Sequence, residues 1–110
     1  MAVSITYSDI DDTAGGTTVF TASGETAITF ASFANLNAAA AKTVSVYLVP
    51  TSGTAIGDSY AISKDHSVDG GDTWQIYGAG EKLLLPTGYT LKAIAESGAT
   101  FTGIISSTTI

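Results

Sequence analysis

Lys42-Thr43-Val44-Ser45-Val46-Tyr47-Leu48-Val49-Pro50 decides the fold. Val44, Val46 and Leu48 fall on one side of an extended chain, and Ser45, Tyr47 and Val49 on the other. A period of two is the signature of a strand, and β-branched valines suit a pleated surface better than a helix. Pro50 ends the run because it cannot donate to a ladder. The triad Val44, Val46 and Leu48 is the better-defined apolar side, so the expectation is that it faces a core. Tyr47, on the opposite side, is then the aromatic expected to point outward.

The same rhythm continues on both sides of this segment. Upstream, strands are expected over Ala2 to Tyr7, with Val3, Ile5 and Tyr7 on one face, over Thr17 to Ala22, and over Thr26 to Phe30. In the last of these, Ile28 and Phe30 are expected to share a face, while Val19 and Phe20 of the second are expected to oppose each other. Ser8 to Gly16 reads as a polar loop. Ala31 to Ala41 is less regular, with Phe33 and Leu36 expected to be buried. Its stretch Asn35 to Lys42 is too short for an independent helix and reads as a connection, or at most one helical turn.

Downstream, Thr51 to Asp58 is a small-residue loop. Strands are expected over Ser59 to Lys64, Asp72 to Tyr77, Glu81 to Leu85, Tyr89 to Glu96 and Ala99 to Ile110. The punctuation is Asp65 to Gly71, Gly78-Ala79-Gly80, Pro86-Thr87-Gly88 and Gly98, all turn chemistry. Short strands, about eight of them at roughly ten-residue spacing, predict an all-β chain, a single-domain antiparallel β-sandwich or jelly roll over 1–110.

Composition narrows the function. The 110 residues hold ten carboxylates and four lysines, for a formal net charge of −6, with no cysteine and no arginine. Phosphate backbones are bound by clustered Lys and Arg, so no nucleic-acid partner is expected, and an anionic membrane surface is disfavoured on the same ground. Apolar runs are far shorter than a membrane-spanning helix needs, and no basic-then-apolar signal peptide is read at the start. Hydrophobic residues make up 45% and charged ones 13%, which excludes most disordered-tail readings.

Catalytic chemistry is poorly supplied. His66, the single histidine, sits between Asp65 and Ser67 in the segment read as a polar loop. Neighbours in sequence do not make a nucleophile–base pair, so a surface histidine is expected rather than a triad. The carboxylates do not bracket an aromatic cleft as a glycosidase requires. Asp9, Asp11 and Asp12 form one acidic group, and Asp65, Asp69 and Asp72 another. Neither has the spacing of a calcium loop, and Asp is at home in turns without metal. No enzyme activity, cofactor or metal is expected.

Contact surfaces remain. Trp74 and Tyr77 are aromatics of the kind enriched at interfaces, although a core position for Trp74 is the simpler expectation. Residues 1–7 and Ser106 to Ile110 are uncharged and β-prone. Such strands are hazardous as bare edges, so residues 1–7 read as an edge or arm that contacts another subunit. The candidate interface is therefore Val3, Ile5, Tyr7, Tyr47, Trp74 and Tyr77.

From Val44 onward, Val46-Tyr47-Leu48-Val49-Pro50, Thr51-Ser52-Gly53, Gly71-Asp72-Thr73 and Leu85-Pro86-Thr87-Gly88-Tyr89-Thr90-Leu91-Lys92-Ala93 resemble the pattern of small virion proteins of tailed bacteriophages. The resemblance covers about Val44 to Ile110. It implies a particle-surface or tail-associated β-module with no catalytic residues to carry over. The expectation is a capsid decoration or cement protein on the outer shell, in contact with the major capsid protein or another virion protein. A homo-oligomer, by resemblance a trimer, is implied. The alternative is a tail-tip or fibre-associated module that binds host carbohydrate.

Overall fold

The computed structural model describes residues 3–77 and 81–110. Among them the regular elements are nine strands and one short 3-10 turn, Asp58–Tyr60. The strands are β1 (Val3–Ile10), β2 (Thr17–Thr21), β3 (Thr26–Asn35), β4 (Lys42–Val49), β5 (Ala61–Val68), β6 (Thr73–Ile76), β7 (Leu83–Leu85), β8 (Thr90–Ala95) and β9 (Phe101–Thr109). The expected turn at Gly78-Ala79-Gly80 lies outside the described residues, as do Met1 and Ala2.

All pairings are antiparallel, and they nest. β4 pairs β5, β3 pairs β6 and β7, β2 pairs β8, and β1 pairs β9. The chain is thus one long hairpin, with β6 and β7 as two pieces of a single interrupted strand along β3. Rolling this hairpin up brings β9 against β3 and β8 against β4. Two sheets result, β1-β9-β3-β6 with β7 also on β3, and β2-β8-β4-β5. That order makes the sandwich a jelly roll. Between the sheets lies one cluster of buried side chains, including Ile10, Val19, Ile28, Phe33, Val44, Val46, Leu91, Phe101 and Ile105.

Two bulges change which side chains reach this cluster. Pairing of β3 with β9 shifts between Ile28 and Phe30, so Thr29 is the extra residue. A bulge breaks strict alternation. Ile28 therefore points into the core, while Phe30 turns to the outer face beside Ser106, contrary to the expectation that the two share a side. The shift between Thr18 and Phe20 in β2 does the reverse. Val19 and Phe20, expected on opposite sides, both pack on the core.

Tyr47 is buried, only 6% exposed, and does not point outward into solvent as the alternation of β4 implied. It does lie on the outer side of its sheet, opposite Lys92 of β8. The 51–60 segment folds over that side. Lys92 Nζ donates to the carbonyls of Ser52 and Thr54, at 2.9 and 3.1 Å, and Lys64 Nζ meets Asp58 Oδ1 at 2.7 Å. β4 is consequently covered on both faces.

Further corrections concern boundaries. β1 continues through Asp9 to Ile10, and β3 runs on to Asn35. Leu36, expected inside, is exposed. No helical turn forms between Asn35 and Lys42; the chain makes a hydrogen-bonded turn around residues 38–39. Ser59 and Tyr60 belong to the 3-10 turn, and β5 extends to Val68, which places His66 in a strand.

Asn35 organises the end of the sandwich. Its side chain is buried, with Nδ2 donating to the carbonyls of Ala40 (3.0 Å) and Val68 (2.9 Å) and Oδ1 accepting from the Asn37 amide (2.9 Å). These bonds tie the 36–41 turn to the 68–72 turn. Gly70 lies between them. A Cβ there would stand 2.8 Å from the Ala38 carbonyl oxygen and 2.9 Å from that of Asn37. Both are backbone atoms that cannot swing away. Gly70→Ala is expected to cost about 1–3 kcal/mol, the usual range for overpacking. A urea midpoint equal to that of the parent would refute this.

Candidate functional site

The two outer faces of the sandwich differ. One is roofed by the 51–60 segment. The other, the outer face of β1-β9-β3-β7, carries no such cover, and its composition follows from the register. Successive cross-strand rows read Val3, Thr108, Ala27 and Leu84; then Ile5, Ser106 and Phe30; then Tyr7, Ile104, Ser32 and Gln75; then Asp9, Thr102, Ala34 and Thr73. Only one of these positions, Asp9 at a corner, is charged.

The rows bear large apolar side chains on their edges. Val3 is 72% exposed, Ile5 57%, Tyr7 70% and Leu84 62%. Ile110, at 73%, adjoins Leu84. A shallow groove of about 360 Å³ sits at this corner, lined by Ala27, Thr29, Leu84, Thr108 and Ile110, with Lys82 at its rim. Scattered exposed apolar residues are ordinary, but a contiguous apolar and hydroxyl face on an acidic molecule is a candidate interaction surface. Three of the residues anticipated from sequence, Val3, Ile5 and Tyr7, belong to it. Phe30 escapes a sequence reading of this face, because only the Thr29 bulge turns it outward, whereas Ile104 faces outward as simple alternation of β9 implies.

The other three anticipated residues do not join them. Tyr47 is buried beneath the 51–60 segment. Trp74 and Tyr77 are half-buried at the opposite edge of the sheet, packed on the core rather than central in it. Trp74 stacks on His66 of β5, with ring centroids 3.9 Å apart and planes 19° apart, and tilts against Phe33 at 5.7 Å. The two rings close the gap between the edge strands of the two sheets. Beside them runs an open groove of about 370 Å³ lined by Ile62, Ser63, Trp74, Gln75, Ile76, Tyr77 and Glu81. Burial, helped by the Glu81 carboxylate, holds the Tyr77 hydroxyl above its ordinary value.

The acidic groups serve the turns. Asp11 Oδ1 accepts from both the amide and the hydroxyl of Thr13, which holds its carboxyl below the usual range, the hydroxyl bond being the larger cause. Asp12 Oδ2 accepts from the Gly98 amide at 2.9 Å. Asp65 sits at φ 53°, a conformation Asp tolerates, and Ser45 Oγ accepts its amide at 2.8 Å. Among the described residues, no three His, Asp or Glu side chains converge as metal ligands would. Between the sheets, a cleft of about 230 Å³ is lined by Phe20 and by the hydroxyls of Ser4, Thr6, Thr21, Ser23, Thr26, Ser107 and Thr109, with no ionisable group among them.

Fold and surface together define the class: an all-β jelly-roll sandwich with one roofed face and one bare, almost uncharged face. Comparison with protein-family models, curated proteins and solved structures gives no match.

Proposed function

We propose that this chain is a non-catalytic structural protein of a tailed-phage particle, a decoration or cement protein seated on the outer surface of the capsid shell. The observation that carries the reading is the bare β1-β9-β3-β7 face on a chain of formal net charge −6. Docking is costly where charges must leave water, and cheap where methyl and hydroxyl groups meet a flat protein surface. The acidic turns around Asp11, Asp12, Asp58, Asp69 and Asp72 lie off this face and would stay in solvent. The resemblance of the Val44 to Ile110 segment to small virion proteins supports the same partner, the major capsid protein. Jelly rolls serve in viral shells and in lectins alike, so the fold is compatible with this role without selecting it.

The carbohydrate-binding alternative asks for an open aromatic platform. Trp74 offers a poor one, since His66 already occupies a face of its ring. The test is cosedimentation of the purified chain with shells of the phage that encodes it, against a glycan array. Binding to shells is expected. The pair Leu84→Glu and Ile104→Glu, both on the outer face, is expected to weaken it by about tenfold or more, roughly 1.4 kcal/mol. A chain that binds glycan and ignores shells overturns the proposal.

A further inference from the structure

Each sheet of a sandwich has two edges, and an unpaired edge invites another strand unless something blocks it. Three of the four edges here carry a block. β2 is only five residues long and is bulged at Val19. β5 is bulged opposite Ser45, where Lys64 and Asp65 project charge and Asp65 turns to φ 53°. The β6–β7 edge is broken into pieces of four and three residues. β1 alone has none of these devices. It is eight residues long, pairs with β9 in unbroken register from Val3↔Thr108 to Ile10↔Phe101, contains no proline, and has no charge before Asp9.

We propose that β1 is the contact through which two copies of this chain pair, antiparallel about a two-fold axis, into one continuous sheet across both molecules. Self-complementarity selects a second copy as the occupant, and charge permits it. Two bodies of net charge −6 repel, but β1 carries no carboxylate before Asp9, so a pairing centred on Ile5 sets none face to face. The sequence of β1 complements itself. With Ile5 opposite Ile5 of the second copy, Val3 faces Tyr7 and Tyr7 faces Val3, all on the exposed outer side. Apolar cross-strand pairs of this kind are what stabilise a sheet. The same register keeps the two Asp9 carboxylates at opposite ends of the ladder. A strand that pairs with itself in this way closes at two copies. It therefore yields a dimer, where the phage resemblance implies a trimer. The inference stands whether or not the chain belongs to a virion.

Light scattering on the purified chain in the high-micromolar range is expected to give twice the 11.1 kDa chain mass. Ile5→Lys places two ammonium groups opposite each other at the two-fold axis. It is expected to give the single-chain mass with an unchanged thermal melt at low concentration, since Ile5 is an exposed position. Leu84→Lys, on the same outer face but away from the edge, is expected to leave the dimer intact. Because the chain has no cysteine, register can be read directly. Ile5→Cys is expected to cross-link to its own copy under mild oxidation, and Asp9→Cys is not. A monomeric parent, a trimeric mass, a dimer indifferent to Ile5→Lys, or cross-linking through Asp9→Cys in place of Ile5→Cys would each overturn the proposal. A parent chain that dimerises through β1 but does not bind shells would count against the shell-docking role alone.

Discussion

Val46→Asp is expected to cause the largest loss of stability of any single substitution considered, above about 4 kcal/mol. Val46 is 1% exposed and sits in the cluster between the sheets, opposite Ala93 of β8. An aspartate there has no cation and no donor within the apolar layer. The substitution removes a buried branched side chain and buries a charge or an unpaired carboxylic acid, each among the few causes of large losses. A cost above about 4 kcal/mol is a large share of the roughly 5–15 kcal/mol that a domain of this kind holds, and most of it at the lower end. Val49→Asp is expected to be nearly as severe. Alternation alone makes Val49 the milder site, but the roof over its face leaves it 0% exposed. Chemical denaturation of both variants decides the matter. Small losses at both would show that β4 is not packed on two sides.

Asn35→Ala is the second large effect, and it arises from polar atoms. The amide makes two bonds of 3.0 Å or less to the carbonyls of Ala40 and Val68 and accepts one from Asn37. Removing it leaves those carbonyls and that amide to find other partners at a buried junction. Buried groups left unsatisfied cost about 1–3 kcal/mol each before relaxation, so a loss of roughly 2–4 kcal/mol is expected. Asn35→Asp is informative beside it. The acid keeps the acceptor for Asn37 but replaces the donor with oxygen facing two carbonyls. It should be no better than alanine. Denaturation midpoints that rank Asn35→Asp equal to the parent would show that the donor half of the amide does not matter.

Strand identity was legible because most strands here alternate over four or more residues between glycine- or proline-bearing turns. Tyr89, Leu91, Ala93 and Ala95 share the inner side as their spacing implies, and so do Phe101, Gly103 and Ile105. What alternation cannot carry is a bulge. Neither Thr29 nor Val19 is a glycine or otherwise marked in sequence, yet each reverses the facing of its neighbours. Nor can it carry a roof. Tyr47 lies on the side of β4 that alternation assigns it, but whether that side is wet depends on a loop held down by Lys92, whose partners Ser52 and Thr54 lie 40 and 38 residues away in sequence, beyond local reading. His66 was obscured for a third reason. Its strand is polar on its exposed side and bulged at Asp65, so it resembles a loop in composition. Of the interaction surface, the β1 contribution was visible as an uncharged terminal strand. The β3, β7 and β9 contributions needed the register.

The nested pairing of the strands also sets an order in time. Of the paired strands, β4 and β5 have the shortest connection, residues 50–60; every other partner of the hairpin lies farther along the chain, and β1 finds β9 from the far end of it. Each closure must bear its loop entropy before its contacts repay it, which makes such topologies slow to fold and favours zipping outward from the β4–β5 turn. On that route β1 docks last. By the same argument it is expected to be the first strand to leave when the native state breathes, because β9 is its only ladder partner and Ile10 its one deeply buried side chain. A molecule so arranged keeps its most adhesive strand out of the sheet until the rest is finished. During synthesis β1 emerges before its partner β9 by the greatest interval of any paired strand, so it is the strand expected to meet other nascent chains.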